Sequence, residues 1–171
     1  CGEENLLCFE GDPYGNENIL IHEFAHALHE MALDRVDPSF DTRLKESYSK
    51  ALEEGIWLDT YAATNRMEYW AEITQSYFDT NRVNDRDHND VDTREELAGY
   101  DPRGHALCVE VFGADAPRYI RPFDRAANAP GTAHLLTWDR QAAPRFQWPT
   151  EVVKAWDRHQ AQTFALRPKK G

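Results

Sequence analysis

The sequence predicts a mainly α-helical fold, α+β at most, with little or no sheet. Three observations predict it. Apolar residues recur at helical spacing in three stretches: Ile19, Leu20, Phe24, Leu28 and Met31; Leu44, Tyr48, Ala51 and Leu52; Met67, Trp70, Ala71, Tyr77 and Phe78. Capping residues stand where helical patterns begin, and Gly or Asp-Pro where they stop. A length of 171 residues allows one sizeable core, and 12% aromatics is more than an acidic disordered chain would carry.

Residues 1–16 contain Gly2, Gly11, Pro13 and Gly15 and read as loop, with a short strand at Leu6–Phe9. A helix is expected over about 17–35, capped by Asn16 or Asn18 and ended by Asp37-Pro38. A second is expected from Asp41, read as its cap, to Glu54, with Gly55 as the stop. Ile56–Thr64 connects it to a third helix over Arg66–Asp79, capped by Thr64 or Asn65. Residues 80–92, dense in Asn, Asp and Arg, read as a solvated loop. Thr93-Arg94-Glu95-Glu96 fits a capping box and opens a short helix to about Gly99. Asp101-Pro102 starts another, which ends at Gly113. From Ala114 to Pro149 five prolines interrupt any regular pattern, so an irregular wrapping segment is expected. A last amphipathic helix over Thr150–Phe164 would use Val152, Val153, Trp156 and Phe164.

The net charge of −11 argues against nucleic-acid binding, which needs a basic stripe; the one basic cluster is Arg167, Lys169 and Lys170. Apolar runs long enough to span a bilayer are lacking. Cys1, Cys8 and Cys108 are odd in number and none stands in C-x-x-C spacing, so they read as thiols rather than a disulfide framework or a metal site.

The chemistry lies in His22-Glu23-Phe24-Ala25-His26, an H-E-x-x-H in the middle of the first long helix. Spacing of four puts both imidazoles on one helix face, where both can reach a zinc ion at ~2.0–2.1 Å. Glu23 leaves from a neighbouring direction, suited to contact a metal-bound water and act as general base. Apolar flanks at Leu20, Ile21, Phe24, Ala25 and Leu28 argue against a merely solvated helix. A catalytic zinc needs a third protein ligand and an open position. The candidate is Glu68, paired at i, i+4 with Glu72 on the third helix; Gln75 shares that face. Two acids one turn apart repel slightly, and a nearby dication would reverse the sign.

These residues resemble a known family. H-E-F-x-H followed by Tyr61-Ala62-Ala63-Thr64-Asn65-Arg66-Met67-Glu68-Tyr69-Trp70-Ala71-Glu72 is similar to the gluzincin-type zincin metallopeptidases that include the anthrax lethal factor catalytic domain and the Pro-Pro endopeptidases. The resemblance implies His22, His26 and Glu68 as zinc ligands, Glu23 as base and Glu72 as a group orienting a ligand. It implies Tyr61 as a donor to the oxyanion, a role that suits a phenol. It covers residues 17–80 and more loosely continues to Gly113. Residues 1–113 would then be a zincin-like catalytic domain, and residues 114–171 a Pro-rich segment and helix packed on it. The family has Gly where this chain has Ala25. Its substrate-binding sheet lies upstream of the H-E-x-x-H helix, and only 21 residues precede His22, so substrate specificity does not carry over. The expected activity is peptide-bond hydrolysis on a peptide or protein substrate. A non-catalytic zinc-stabilised binding module and a zinc hydrolase of a non-peptide amide or glycoconjugate are the alternatives.

Weaker signals remain. Asp85, Asp87, Asn89 and Glu96 approximate a calcium loop but lack its central Gly, so a solvated polar loop is the better reading. His29 reads as a surface histidine, and His88, His105, His134 and His159 have no partner at ligand spacing. Trp138, Trp148 and Trp156 are read as pinning the Pro-rich tail to the core, with a substrate groove as the other possibility.

Overall fold

A computed structural model describes residues 1–121 and 141–166, with residues 160–166 by backbone alone. Its helices are α1 (Glu3–Leu6), α2 (Ile19–Leu28), α3 (Asp34–Val36), α4 (Phe40–Glu53), α5 (Arg66–Tyr77), α6 (Arg94–Tyr100), α7 (Pro102–Phe112) and α8 (Thr150–Leu166). A π-helical turn, His29–Leu33, joins α2 to α3, and a 3₁₀ turn, Tyr61–Ala63, precedes α5. The fold is mainly helical. Among the described residues the isolated β pairing is one parallel bridge between Glu10 and Arg145. The strand expected at Leu6–Phe9 is therefore replaced by α1 and a turn, in which Leu7 and Phe9 donate backwards to Glu3 and Glu4 carbonyls.

α5 is the centre of the molecule. Every residue from Tyr69 to Tyr77 is buried, so the helix is packed on all sides rather than along one stripe. α2 crosses it and is pinned by the Trp70 indole N–H donating to the Ala25 carbonyl at 2.9 Å. α4 packs on it through Phe40, whose ring meets Trp70 edge to face at 5.1 Å, and through Ser47, bonded to the Tyr69 hydroxyl at 2.9 Å. On the α6–α7 side the fully buried Asp101 accepts from Tyr69 Oη (2.6 Å), Trp57 Nε1 (2.9 Å) and the Gly104 amide (2.9 Å). Burial and the Asp101 charge push the Tyr69 hydroxyl well above its ordinary range, so it remains a donor. Gly104 makes this approach possible: a Cβ there would lie 2.7 Å from the Tyr69 oxygen.

The caps explain the helix starts. Asn18 accepts from the Ile21 amide, Asn65 from the Met67 and Glu68 amides, and Asp101 from the Gly104 amide. The Thr93–Glu96 capping box forms, and α7 ends at Gly113 with φ +85°. The expectation for α4 is corrected. Its N-cap is Ser39, and Asp41 lies inside the first turn, where it accepts from Arg66 Nε at 2.7 Å and meets His29 Nε2 at 3.0 Å. Of the five apolar flanks on α2, Leu20 and Phe24 are exposed at 45% and 63%, Ile21 and Leu28 are half-buried, and Ala25 alone is buried.

After α7 the chain lies back along α5 and α6: Tyr119 donates to the Phe78 carbonyl, and Arg118 pairs with Asp79 and Glu95. Residues 145–146 return to the N-terminal loop, where the Phe146 amide donates to the Glu10 carbonyl. Trp148 and Trp156 are 45% and 50% exposed and line a cavity of about 770 Å³ between α8, the 12–16 loop and residues 82–87, which corrects the expectation that they pin the tail to the core. Trp138, His134, Pro122, Pro130, the Phe164 side chain and the Arg167–Lys170 cluster lie outside what is described. None of the helices described is long and apolar enough to cross a membrane.

Candidate metal centre

His22 and His26 occupy one face of α2, held against the first turn of α5 by the Trp70–Ala25 bond. Asn65 sets the start of α5 and so the height of Glu68 along it. Across this contact His22 Nε2 lies 3.2 Å from His26 Nε2 and 3.1 Å from Glu68 Oε2, and His26 Nε2 lies 3.4 Å from that same oxygen. Three ligand atoms around a tetrahedral ion at ~2.0–2.1 Å would stand about 3.3 Å apart. The observed triangle has that size. Its corners are three electron-pair donors, which repel one another unless a proton or cation sits among them. Such a donor set could hold a metal ion.

A second layer holds His22. Its Nδ1 lies 2.9 Å from Gln75 Oε1 and 3.4 Å from Glu72 Oε1. The Gln75 amide is oriented by its own nitrogen, which donates to Glu17 Oε1 (3.0 Å) and the Asn18 carbonyl (3.3 Å). Its oxygen must face His22, so His22 Nδ1 carries a hydrogen and Nε2 is free for a metal. Glu72 is buried at 2% exposure, between His22 on one side and His88 and Asn81 on the other. Burial alone would raise its pKa, but the hydrogen bonds from His22, His88 and Asn81 overcome this and hold it at about 2. Burial likewise works to lower His22, yet Glu72, Gln75 and Glu68 together raise it from 6.5 to about 9. The His22 shift reflects the carboxylates gathered around the ring, and the Glu72 shift reflects the donors that surround that carboxylate.

Tyr61 heads the 3₁₀ turn, its amide donating to the Asp87 carbonyl at 2.7 Å, and its ring lies 6.2 Å from the His22 ring. It is 41% exposed, so its hydroxyl borders solvent. Its pKa is raised, first by burial and then by the charges of Glu68, Glu72 and Glu23. Glu23 is exposed on α2. Glu72 and Gln75 lie on the Nδ1 side of the His22 ring, opposite the nitrogen that faces His26 and Glu68.

Several residues stand differently from the sequence reading. His29 is buried at 2% exposure and bonded to Asp41; with Asp34 it forms another metal-compatible group, but Arg66 already neutralises Asp41 there. His88 is buried and paired with Asp85 and Glu72. The 80–92 loop is accordingly folded onto the site. Asp85 caps the amides of Asp87 and His88, and Glu96 is spent on the capping box, so the calcium-loop residues do not converge. Cys8 and Cys108 are buried free thiols and Cys1 is an exposed one. Gln75, His88, Asn81 and Glu17 were missed as site residues. The one available signal was a polar stripe, Glu68–Glu72–Gln75, on a helix otherwise built of core residues. The chain matches no family model, no curated protein and no solved structure.

Proposed function

We propose that the chain is a zinc-dependent metallohydrolase of the zincin type, cleaving peptide bonds, with His22, His26 and Glu68 as the metal ligands. The observation that carries this reading is the triangle of Nε2, Nε2 and Oε2 atoms with edges of 3.1, 3.2 and 3.4 Å. The motif resemblance from His22 to Glu72 supports it independently of the coordinates.

When bound, zinc would supply Lewis acidity toward a substrate carbonyl and lower the pKa of water. Glu23, exposed on the helix that carries His22 and His26, takes a proton from the attacking water and later delivers it to the leaving amine. Tyr61 is kept protonated by burial and by the surrounding carboxylates, so its hydroxyl donates to the oxyanion that forms on the carbonyl. Glu72 and Gln75 hold the His22 ring with Nε2 presented to the open side.

The test is elemental analysis joined to hydrolysis of a mixed peptide library. The unaltered chain should carry one zinc and cleave peptides. Glu23→Gln should keep the zinc and lose at least about 100-fold in turnover, the scale of general-base catalysis. Glu68→Ala should lose the zinc. Full activity in Glu23→Gln would refute the mechanism, and cleavage of non-peptide amides alone would redirect the substrate class.

A further inference from the structure

The His88 side chain is 3% exposed and lies between two carboxylates, with Nε2 3.3 Å from Glu72 Oε2 and Nδ1 2.8 Å from Asp85 Oδ1. Nδ1 hydrogen-bonds Asp85 and Nε2 stands at ion-pair distance from Glu72, and a carboxylate facing each ring nitrogen favours the doubly protonated, cationic ring. Glu72 Oε2 also receives the Asn81 amide at 3.1 Å. The Asn81 amide and the adjacent His88 ring thereby flank Oε2, and Oε1, which makes no hydrogen bond, faces His22 Nδ1 at 3.4 Å. Asp85 is tied down in turn: Oδ1 accepts from the Asp87 and His88 amides, and Oδ2 pairs with Arg82 at 3.0 Å. A chain of alternating imidazole and carboxylate runs from the metal triangle outward: His22, Glu72, His88, Asp85.

We propose that His88 is a positioning residue of the metal centre, a cation buried behind Glu72 that fixes the Glu72 carboxylate and, through it, the His22 ring. The proposal rests on the zinc reading above and adds a residue from the 80–92 loop to it. A carboxylate as buried as Glu72 needs an adjacent cation to remain charged. If His88 is removed, the Glu72 carboxylate loses the neighbour beside its Oε2 and turns, and His22 loses one of the two groups facing Nδ1. The 82–88 loop becomes part of the support of the metal rather than a solvated connection. His88 touches neither metal ligand nor substrate, so its effect on the ion is exerted through Glu72.

The experiment uses the full chain with His88→Gln, Asp85→Asn, Glu72→Gln and the His88→Gln/Glu72→Gln double variant. Zinc affinity is measured by competition with a chromophoric chelator at fixed pH. The visible spectrum of the cobalt-substituted protein reports ligand orientation. His88→Gln should weaken zinc by about 10–100-fold and alter the cobalt bands, with Asp85→Asn moving both in the same direction by less. On the Glu72→Gln background, His88→Gln should add less than about threefold, because the two act through one carboxylate. Asp85, with its side chain 33% exposed, decides the matter if His88→Gln does not fold. Zinc affinity within about twofold of the unaltered chain in both single variants, or full additivity in the double, overturns the proposal. An unaltered chain that binds no zinc overturns the proposal and the metal reading together, which separates that failure from the failure of His88 alone.

Discussion

Gln75 settles the tautomer of His22. Its nitrogen is committed to Glu17 and Asn18, so its oxygen takes the Nδ1 hydrogen and turns Nε2 toward Glu68 and His26. The charge at this residue has a consequence for pH. Without metal, His22 is raised from 6.5 to about 9, so its proton stabilises the fold fully below pH 6.5 and that contribution is lost as pH climbs through 9. Glu72, depressed from 4.5 to about 2, works in the other direction: its contribution is present above pH 4.5 and lost as pH falls through 2. The chelator-treated chain should therefore melt at progressively lower temperature between pH 6.5 and pH 9, whereas the zinc-saturated chain should not, since the ion replaces the proton. Melting curves at three pH values in that window, with and without chelator, check this. A chelated chain with constant Tm across the window would mean that His22 carries no proton there.

At the level of elements, α5 does most of the positioning. Its N-terminal turn is aligned by the Asn65 side chain, which accepts from both the Met67 and Glu68 amides. Asn65→Ala should cost about 1 kcal/mol of stability and loosen zinc, because the same cap places Glu68. Denaturant unfolding and chelator competition on one variant would read both effects. Trp70 joins α5 to α2 by its indole bond and to α4 and α7 by ring contacts with Phe40 and Phe112. Trp70→Ala should cost about 3–5 kcal/mol, as fully buried aromatics do. Phe24→Ala, on the exposed face of α2, should stay within about 0.5 kcal/mol. Equal costs for the two would contradict the packing described for α2. The π-helical turn after α2 buries His29 against Asp41 and ties α4 to the same contact.

For the whole molecule, the His22–His26–Glu68 triangle bridges two helices that are 46 residues apart at His22 and Glu68. An ion bound there would act as a crosslink that only the folded chain can offer. Saturation with zinc at 1,000 times its Kd should stabilise the fold by about 4 kcal/mol, and chelation should remove that increment. Scanning calorimetry with and without chelator measures it; a Tm indifferent to zinc would show that no such crosslink forms. The cavity beside α8, bounded by Tyr14, Arg82, Trp148 and Trp156, lies on the outer side of the same 82–87 loop whose next residue, His88, reaches Glu72.

What this sequence determined by itself was local. Caps at Asn16 or Asn18, at Thr64 or Asn65, and at Thr93 and Asp101, stops at Gly55 and Gly113, and the four-residue spacing of His22 and His26 all act within about one helical turn, which is the range over which periodicity carries information. The candidate ligands and base were legible for that reason, together with the length of the resemblance. Contacts between distant segments were decided by tertiary structure. Asp41 resembled a cap until packing gave it to His29 and Arg66, and Leu6–Phe9 resembled a strand without a partner strand to pair with. His88 sat in a run of polar residues with every mark of a solvated loop. Only the folding of that loop over α5 placed it against Glu72, because a buried carboxylate draws a counter-charge from wherever the chain can deliver one.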